Sequence, residues 1–460
     1  MRRAGCAIVL SILTTSAVAG TNGLDPRFGA GGIVLLGATP VAGQHILFRP
    51  SAAIAVQADG KVLLAGGSPV AGSYEVPAVA RLNADGSWDT SFGNHGVFSL
   101  SSNSLVPNGG TANQIGLLSD GSIVASGAAY FSTPFDYYKC VLMFKLTDAG
   151  ALDTTFGGAA GGSFCHYFSS DTSGYTTNPF TSLQVGSDDL IYVTSSRAVT
   201  DANLGAIARY ASNGAIDLAF GSGGIVTSPY YFANIRLQTD QRLLAEAAGG
   251  PFFYRFTAAG DADPTFGSNG FFSFDLQQFS FVWTEQMRLD DAGNILAVFI
   301  PRSTTGPNIQ IVIRVTSSGS ADTTFNANTP QPGFPGLASI AVAGTKNSGG
   351  GGSADIQALP DGHLMLASTD IYKTQLRRLA NDAAFDPGFG DVATPGIADL
   401  SFASDINHLY ASATDNAGRL LLAVDFSSET ASCRALLRII PDQISGNGFE
   451  ATPILPACPP

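Results

Sequence analysis

Charge is scarce in this 460-residue chain: Asp, Glu, Lys and Arg make up 13% of it, with a formal net charge of -13. Nucleic-acid binding requires clustered Lys and Arg to neutralise phosphates, so that class of function is excluded on charge. Five cysteines are too few for a disulfide-built scaffold of this length. The histidines His45, His95, His166, His363 and His408 neither recur nor cluster at metal-ligand spacing, and they read as turn or surface residues. No Lys-Ser or Lys-Thr follows a glycine-rich loop, so there is no phosphate loop. Heptads, long charge runs and helical periodicity are also missing. No cofactor is indicated.

What is present begins with the N-terminus. "MRRAGCAIVLSILTTSAVAG" has Arg2 and Arg3, an apolar run from Ala4 to Leu13, and a small-residue site at Ala17-Val18-Ala19. This pattern predicts a secretory signal peptide over residues 1–19. The apolar run is too short for a membrane anchor, and Cys6 lies too early for lipid attachment. No later stretch is long and apolar enough to span a bilayer. The expectation is an exported monomer, periplasmic or extracellular, in a compartment that tolerates disulfides.

Glycine is abundant, at 54 residues, and it marks a repeat. Asp-x-x-Phe, usually followed by Gly, occurs at Asp25/Phe28, Asp89/Phe92, Asp153/Phe156, Asp217/Phe220, Asp263/Phe266, Asp322/Phe325 and Asp386/Phe389. The spacings are 64, 64, 64, 46, 59 and 64 residues. A basic residue stands eight positions before six of these aspartates: Arg81, Lys145, Arg209, Arg255, Arg314 and Arg378. Arg438 has no Asp after it, and Asp25 has no basic residue before it. Each unit reads as four short strands bounded by Gly, Asp and Asn, as in "AAIAVQ", "KVLLAG", "PAVARL" and "GVFSL". Seven such units predict an all-β, seven-bladed β-propeller of four-stranded antiparallel blades over residues 20–442. The offset ends predict that "LDPRFGAGGIVLL" supplies the outer strand of the last blade and brings Asp25 to Arg438. An open solenoid is the alternative, and it would leave its end units uncapped.

These elements resemble delta-60 repeats, a family found in exported bacterial proteins. The resemblance rests on "ADGKVLLAGG" and "ARLNADGSWDTSFGNHGV", echoed by "ARYASNGAIDLAFGSGGIV" and "YRFTAAGDADPTFGSNGFF". It covers nearly all of the chain after the leader. It implies a propeller-like fold and carries no catalytic residue across. Asn326, Ala383 and Gln241 depart from the pattern at positions where Gly is expected.

The repeated residues read as structural. Asn83, Asp85 and Asp89 would begin a calcium loop, but the equivalents of Asp85 are Ala149, Asn213, Ala259, Ser318 and Asp382, and no far-end acid is present. A turn explains more: Gly stands three residues before Asp in five of seven copies. Pro26, Pro264 and Pro387 directly follow Asp, as a type I turn favours. The expectation is a basic–acid pair across each turn and a Phe between blades. "NSGG" at Asn347 lies in the run "KNSGGGGSAD", which reads as a linker.

Cys140 and Cys165 flank the second copy of the turn, on strands that would be neighbours, so a disulfide is expected. Cys433 stands before Arg438 as Cys140 stands before Lys145, and Cys458 follows it by the same 25 residues. That predicts a C-terminal tail, residues 443–460, clipped to the outer edge of the last blade. The tail's prolines make it a poor central strand, so it competes weakly with the N-terminal strand.

Antiparallel order puts the two short turns of each blade on one face and the longer connections on the other. Tyr130, Phe131, Asp136, Tyr137, Tyr138, Tyr175, Tyr230, Tyr231 and Trp283 fall in the longer connections and form the candidate ligand-binding set, for a glycan or a protein partner. The plain alternative is that these aromatics pack beneath the loops. The first functional reading is a non-catalytic binding or scaffold propeller, with no catalytic residue. The second is a carbohydrate-active propeller using loop carboxylates such as Asp136, Asp171, Asp201 or Asp405.

Overall fold

The computed structural model describes residues 23–36, 53–69, 75–100, 108–132, 137–166, 182–199, 202–274, 282–301, 309–327, 336–341, 353–369, 374–400, 405–427 and 432–444. Short β-branched and apolar runs broken by Gly and Asp turns form seven four-stranded antiparallel sheets. Blade 1 comprises Ile54–Val56, Val62–Pro69, Glu75–Leu82 and Val97–Ser99. Blade 2 comprises Gly110–Leu117, Ile123–Ser132, Tyr137–Leu146 and Ser163–His166. Leu183–Val185, Ile191–Val199, Ala202–Tyr210 and Ile225–Ser228 make blade 3. Phe232–Leu237, Leu243–Ala247, Phe252–Phe256 and Phe271–Ser273 make blade 4. Val282–Leu289, Ile295–Pro301, Ile309–Val315 and Leu337–Ala341 make blade 5. Blade 6 is Ser353–Ala358, Leu364–Thr369, Thr374–Leu379 and Ile397–Leu400.

Blade 7 is closed from both ends of the chain. Asp405–Thr414, Leu420–Ser427 and Ser432–Ile439 are followed in space by Ile33–Leu35, which pairs antiparallel with the third strand through Ile33↔Leu437 and Leu35↔Ala435. The first strand of every blade contacts the first strands of both neighbours, from blade 1 round to blade 7 and back to blade 1. That cycle makes the molecule a closed seven-bladed propeller with the first strands around its axis.

The core is divided among the blade interfaces, and each repeated Phe is buried at the interface between its own blade and the next. Phe92 packs with Leu63 and Val79 of blade 1 against Ile123 and Leu142 of blade 2. Phe156 joins Val124 and Met143 of blade 2 to Leu183 and Ile191 of blade 3. Phe220 lies between Ile207 of blade 3 and Ile235 and Leu243 of blade 4, edge-on to Tyr192. Phe266 packs with Leu244 and Phe253 of blade 4 against Ile295 and Ile313 of blade 5. Phe325 sits between Leu296 and Val312 of blade 5 and Ile356 and Leu366 of blade 6. Phe389 bridges Met365 and Leu376 of blade 6 to Leu422 and Leu437 of blade 7. Phe28, which precedes the N-terminal strand, completes the ring between Leu421 and Leu436 of blade 7 and Val62 and Leu64 of blade 1. Burying one such ring contributes roughly 1.5–3 kcal/mol.

The residues around each Phe form a clasp. Arg81 Nε donates to Asp89 Oδ2 at 2.8 Å, and its guanidinium lies 4.5 Å from the Phe92 ring centroid. Arg81 Nη1 donates to the Asp148 carbonyl of the next blade at 2.5 Å. The same three contacts recur at Arg209, Arg255, Arg314 and Arg438. Each meets a carboxylate of the turn, the face of a Phe (Phe220, Phe266, Phe325 and Phe28) and a carbonyl of the following blade. Lys145 lies 3.3 Å from Asp153 and Arg378 lies 3.4 Å from Asp386. At the closure, Arg438 Nη2 lies 2.9 Å from Asp25 Oδ2, and Arg438 Nη1 reaches the Ala84 carbonyl of blade 1.

The residue after each Phe adds a backbone bond between blades. Gly29 N–H donates to the Asp85 carbonyl at 2.7 Å, and Gly93 N–H to the Ala149 carbonyl at 2.9 Å. Gly157, Gly221, Gly267 and Asn326 repeat this with Asn213, Ala259, Ser318 and Asp382. These acceptors are the very positions whose side chains vary between repeats. The contact uses the carbonyl, so the side chain is unconstrained. Gly86 and Gly150 show why glycine precedes the Asp. Both have positive φ, and a Cβ would meet the neighbouring Gly29 or Gly93 nitrogen at 2.7 Å. Ala383 holds this position in blade 6 at φ 70, and Gln241 and Asn326 also adopt positive φ where the pattern expects Gly.

Some expectations change. The end of the glycine-rich run is not linker: Ser353, Ala354 and Asp355 open the first strand of blade 6, and Asp355 is buried there. A buried, hydrogen-bonded carboxylate supplies the polar anchor that composition alone made look like linker. The histidines are not uniformly turn or surface residues either. His166 and His408 lie half-buried on strands, because their blades place them against aromatic rings. Cys140 and Cys165 form a disulfide between the third and fourth strands of blade 2. The leader (1–19), Cys458 and the tail beyond 444 lie outside the described residues.

Candidate functional site

The turn clasps are built for rigidity. Asp89 accepts from both the N–H and the hydroxyl of Ser91 through Oδ1, while Oδ2 meets Arg81 and Lys61. Burial pushes its carboxyl up, but these partners outweigh that and hold it at about 2. A fully satisfied, ionised carboxylate in a turn is poorly suited to proton transfer. The rings of the clasps offer a ligand nothing either. Phe28, Phe92, Phe156, Phe220 and Phe266 are fully buried, and Phe325 and Phe389 are 1% exposed. These seven phenylalanines therefore belong to the scaffold and to no binding site, since their faces are already covered by both flanking blades. Four clasps contain a second basic group that sequence reasoning missed. Lys61, Arg242, His363 and Arg419, each directly after the Asp-Gly-type turn, reach Asp89, Asp263, Asp386 and Asp25. The signal was available: a basic residue follows the turn in those copies.

The opposite face carries the connections that vary between blades. Asp136 and Tyr175 lie outside the described residues, as do Asp171 and Asp201. Tyr130, Phe131, Tyr137, Tyr138 and Trp283 are not loop residues: they sit on strands, with Phe131↔Tyr138 and Trp283↔Ile300 in register. The strands of blades 2 and 5 simply run further than the turn residues indicated. Asp405 likewise opens the first strand of blade 7.

Tyr230 and Tyr231 lie in the connection from blade 3 to blade 4, on this face. Tyr230 is 45% exposed and stacks on Phe252 with centroids 5.6 Å apart and planes at 25°. Phe252 stacks on Phe271 at 6.3 Å, and Phe271 meets Tyr254 at 4.9 Å. The result is an aromatic ladder, half-buried at its base and open at Tyr230. Burial raises the Tyr254 hydroxyl pKa, with Tyr230 adding to the rise. Phe252 and Phe271 read in sequence as ordinary strand residues; only their clustering in one unit, "PFFYRF" with "NGFFSF", marks them.

A second side-chain group of note lies in blade 7, at a first-strand bulge that blades 2, 4 and 5 share. Register shifts at Ile406/His408 and Leu409/Ala411 leave Tyr410 as a bulged residue. Its hydroxyl donates to Asp425 Oδ2 at 2.9 Å, and the His408 ring lies 4.7 Å from its own. Arg434 pairs across the strand from Asp425. Burial lowers the His408 pKa and raises that of Tyr410, with Asp425 opposing the first shift and reinforcing the second. Among the described residues no group of His, Cys, Asp and Glu is arranged to hold a metal ion.

Residues 57–92 match a family described as a domain of unknown function (DUF5122) beta-propeller. No curated protein matches the sequence. Among solved structures, a streptogramin B lyase is similar at 12% identity over 88% of this chain and 97% of that one, with a TM-score of 0.48. The polysaccharide lyase Uly1 is similar at 9% identity over 87% and 93%, with a TM-score of 0.49. A Trypanosoma rangeli sialidase is similar at 9% identity over 87% and 56%, with a TM-score of 0.39. At these values no activity passes from them to this chain.

Proposed function

We propose that this chain is an exported, non-catalytic binding propeller of the delta-60 type. Its ligand, a glycan or a segment of a protein, is held on the face opposite the short turns, with the Tyr230–Phe252 stack as its platform. The observation that carries this reading is the open aromatic ladder of blade 4. An exposed ring backed by half-buried rings is pre-organised, so little side-chain entropy is lost when a sugar face or an apolar segment stacks on it. Export follows from the leader pattern of residues 1–19.

A glycan array probed with the protein lacking its leader tests this directly. Binding should fall roughly tenfold in Tyr230→Ala, about 1.4 kcal/mol, without loss of melting temperature. Failure to bind glycans, together with failure to capture any envelope protein in a Tyr230-dependent way, would sink the reading. The second reading, a carbohydrate-active propeller, is favoured by one feature: the His408, Tyr410, Asp425 and Arg434 group. Turnover of a bound glycan that Tyr410→Phe abolishes would select it instead.

A further inference from the structure

The first strands enclose the axis, and many of their residues keep partial exposure although blades flank them on both sides. They therefore face a water-accessible channel. One position on each strand, two residues before the turn that opens with a backbone bond such as Gln238 N–H to Arg242 O, can be compared around the ring. Blades 7, 1 and 2 place only Ala413, Ala55 and Gly116 there. Blades 3 to 6 place Gln184, Arg236, Arg288 and Gln357. At this position polar side chains occupy one arc of the wall.

The two arginines in that arc are not equally neutralised. Arg288 Nη2 donates to Asp355 Oδ2 at 2.8 Å, and its Nη1 to Gln286 Oε1 at 2.7 Å. The same Asp355 oxygen also accepts from the Ser412 N–H and hydroxyl. Among the described residues, Arg236 donates to the carbonyl of its neighbour Ile235 alone, through Nη1 at 2.7 Å. A guanidinium carries five N–H donors, so most of those on Arg236 are left for something else. Glu246, a buried carboxylate on its own blade, accepts from Asn234 Nδ2 at 3.0 Å. Burial lowers the Arg236 pKa to about 9 and Arg288 adds to the drop, while the carboxylates of Asp355 and Glu246 oppose it.

We propose that Arg236, with Arg288 beside it, binds the anionic oxygens of a carboxylate or phosphate group in the wall of the central channel. A planar or tetrahedral oxyanion matches the guanidinium fork, and it would take up the Arg236 donors that no described side chain occupies. The site is independent of the Tyr230 platform. Arg236 lies near the short-turn end of the strand that Tyr230 precedes at the opposite end.

The test is a melting-temperature titration of the leaderless protein with sodium phosphate and with sodium acetate, against sodium chloride at matched ionic strength. The wild type should gain about 2 °C over chloride at an anion concentration some tenfold above its Kd. Arg236→Gln should lose that gain and still fold, since Gln holds the equivalent position in blades 3 and 6. Arg27→Gln removes the same charge from an exposed site and should keep the gain. A response to acetate identifies a carboxylate, and a response to phosphate alone identifies a phosphate. Equal melting in all three salts, or a gain retained by Arg236→Gln, overturns the proposal.

Discussion

In five of the clasps one arginine serves three surfaces at once, and the Lys145 clasp shows what each is worth. Lys145 reaches Asp153, but an ammonium has no planar fork for stacking and carbonyl reach together. Lys145→Arg should therefore stack on Phe156 and place Nη1 against the Ser212 carbonyl, as Arg81 does with Phe92 and Asp148. Stability in denaturant unfolding should rise by about 1 kcal/mol. Breaking a clasp is costlier. Arg255→Met would leave the buried Asp263 with one cation, Arg242, and should destabilise by about 3 kcal/mol. The clasps also set the response to acid. Burial pushes the Asp25, Asp263 and Asp322 carboxyls up, yet their hydrogen bonds and cations overcome it and hold them below the usual range. At Asp153 the Thr155 hydroxyl bond is the leading cause of the same lowering. A depressed folded-state pKa adds stability above the unfolded value and loses it as pH falls through the folded value. For Asp89 that window runs from about 4 down to about 2, and the contribution lost is about 2 kcal/mol. Acid titration followed by circular dichroism should show Asp89→Asn already destabilised at neutral pH and less sensitive than wild type below pH 4.

At the scale of elements, the N-terminal strand pairs through three residues, as several inner and outer strands of other blades do. Its hold comes from Phe28, buried between blades 7 and 1, and from Asp25 against Arg438 and Arg419. Phe28→Ala should cost about 3–5 kcal/mol by thermal or chemical denaturation, as much as Phe220→Ala or Phe266→Ala in mid-chain. Blade 2 has a second fastening. The Cys140–Cys165 bridge closes a loop of 25 residues, and its reduction should cost about 3 kcal/mol on loop entropy. An unchanged melting temperature in reductant would refute that estimate. The strands and clasps were legible in the sequence because each is local and repeated around the ring. Arg81 and Asp89 are eight residues apart, and so are their counterparts in the five following blades. The channel arc and the blade 4 ladder were not legible. Arg288 meets Asp355 across 67 residues, and Tyr230 meets Phe252 across a blade, through side chains that no other copy shares.

At the scale of the molecule, near-sevenfold regularity makes departures informative. Every interface is spanned by the same kind of Phe-centred cluster, so stability is distributed and no single blade can be removed without opening the ring. The regular parts concentrate at the short-turn face. The blade 4 ladder, which opens at Tyr230, lies away from those turns. That division leaves one face free to vary while the scaffold stays constant.

The paired ends of blade 7 impose a timetable on the chain. Asp25 and Arg438 are separated by 413 residues, and a chain made N-terminus first presents Asp25 long before its partner exists. Until residues 405–444 emerge, Phe28 has no pocket and the outer edge of the seventh sheet has no strand to guard. The last contact to form thus involves one of the earliest segments to appear, and synthesis through the seventh blade becomes a condition for sealing the ring.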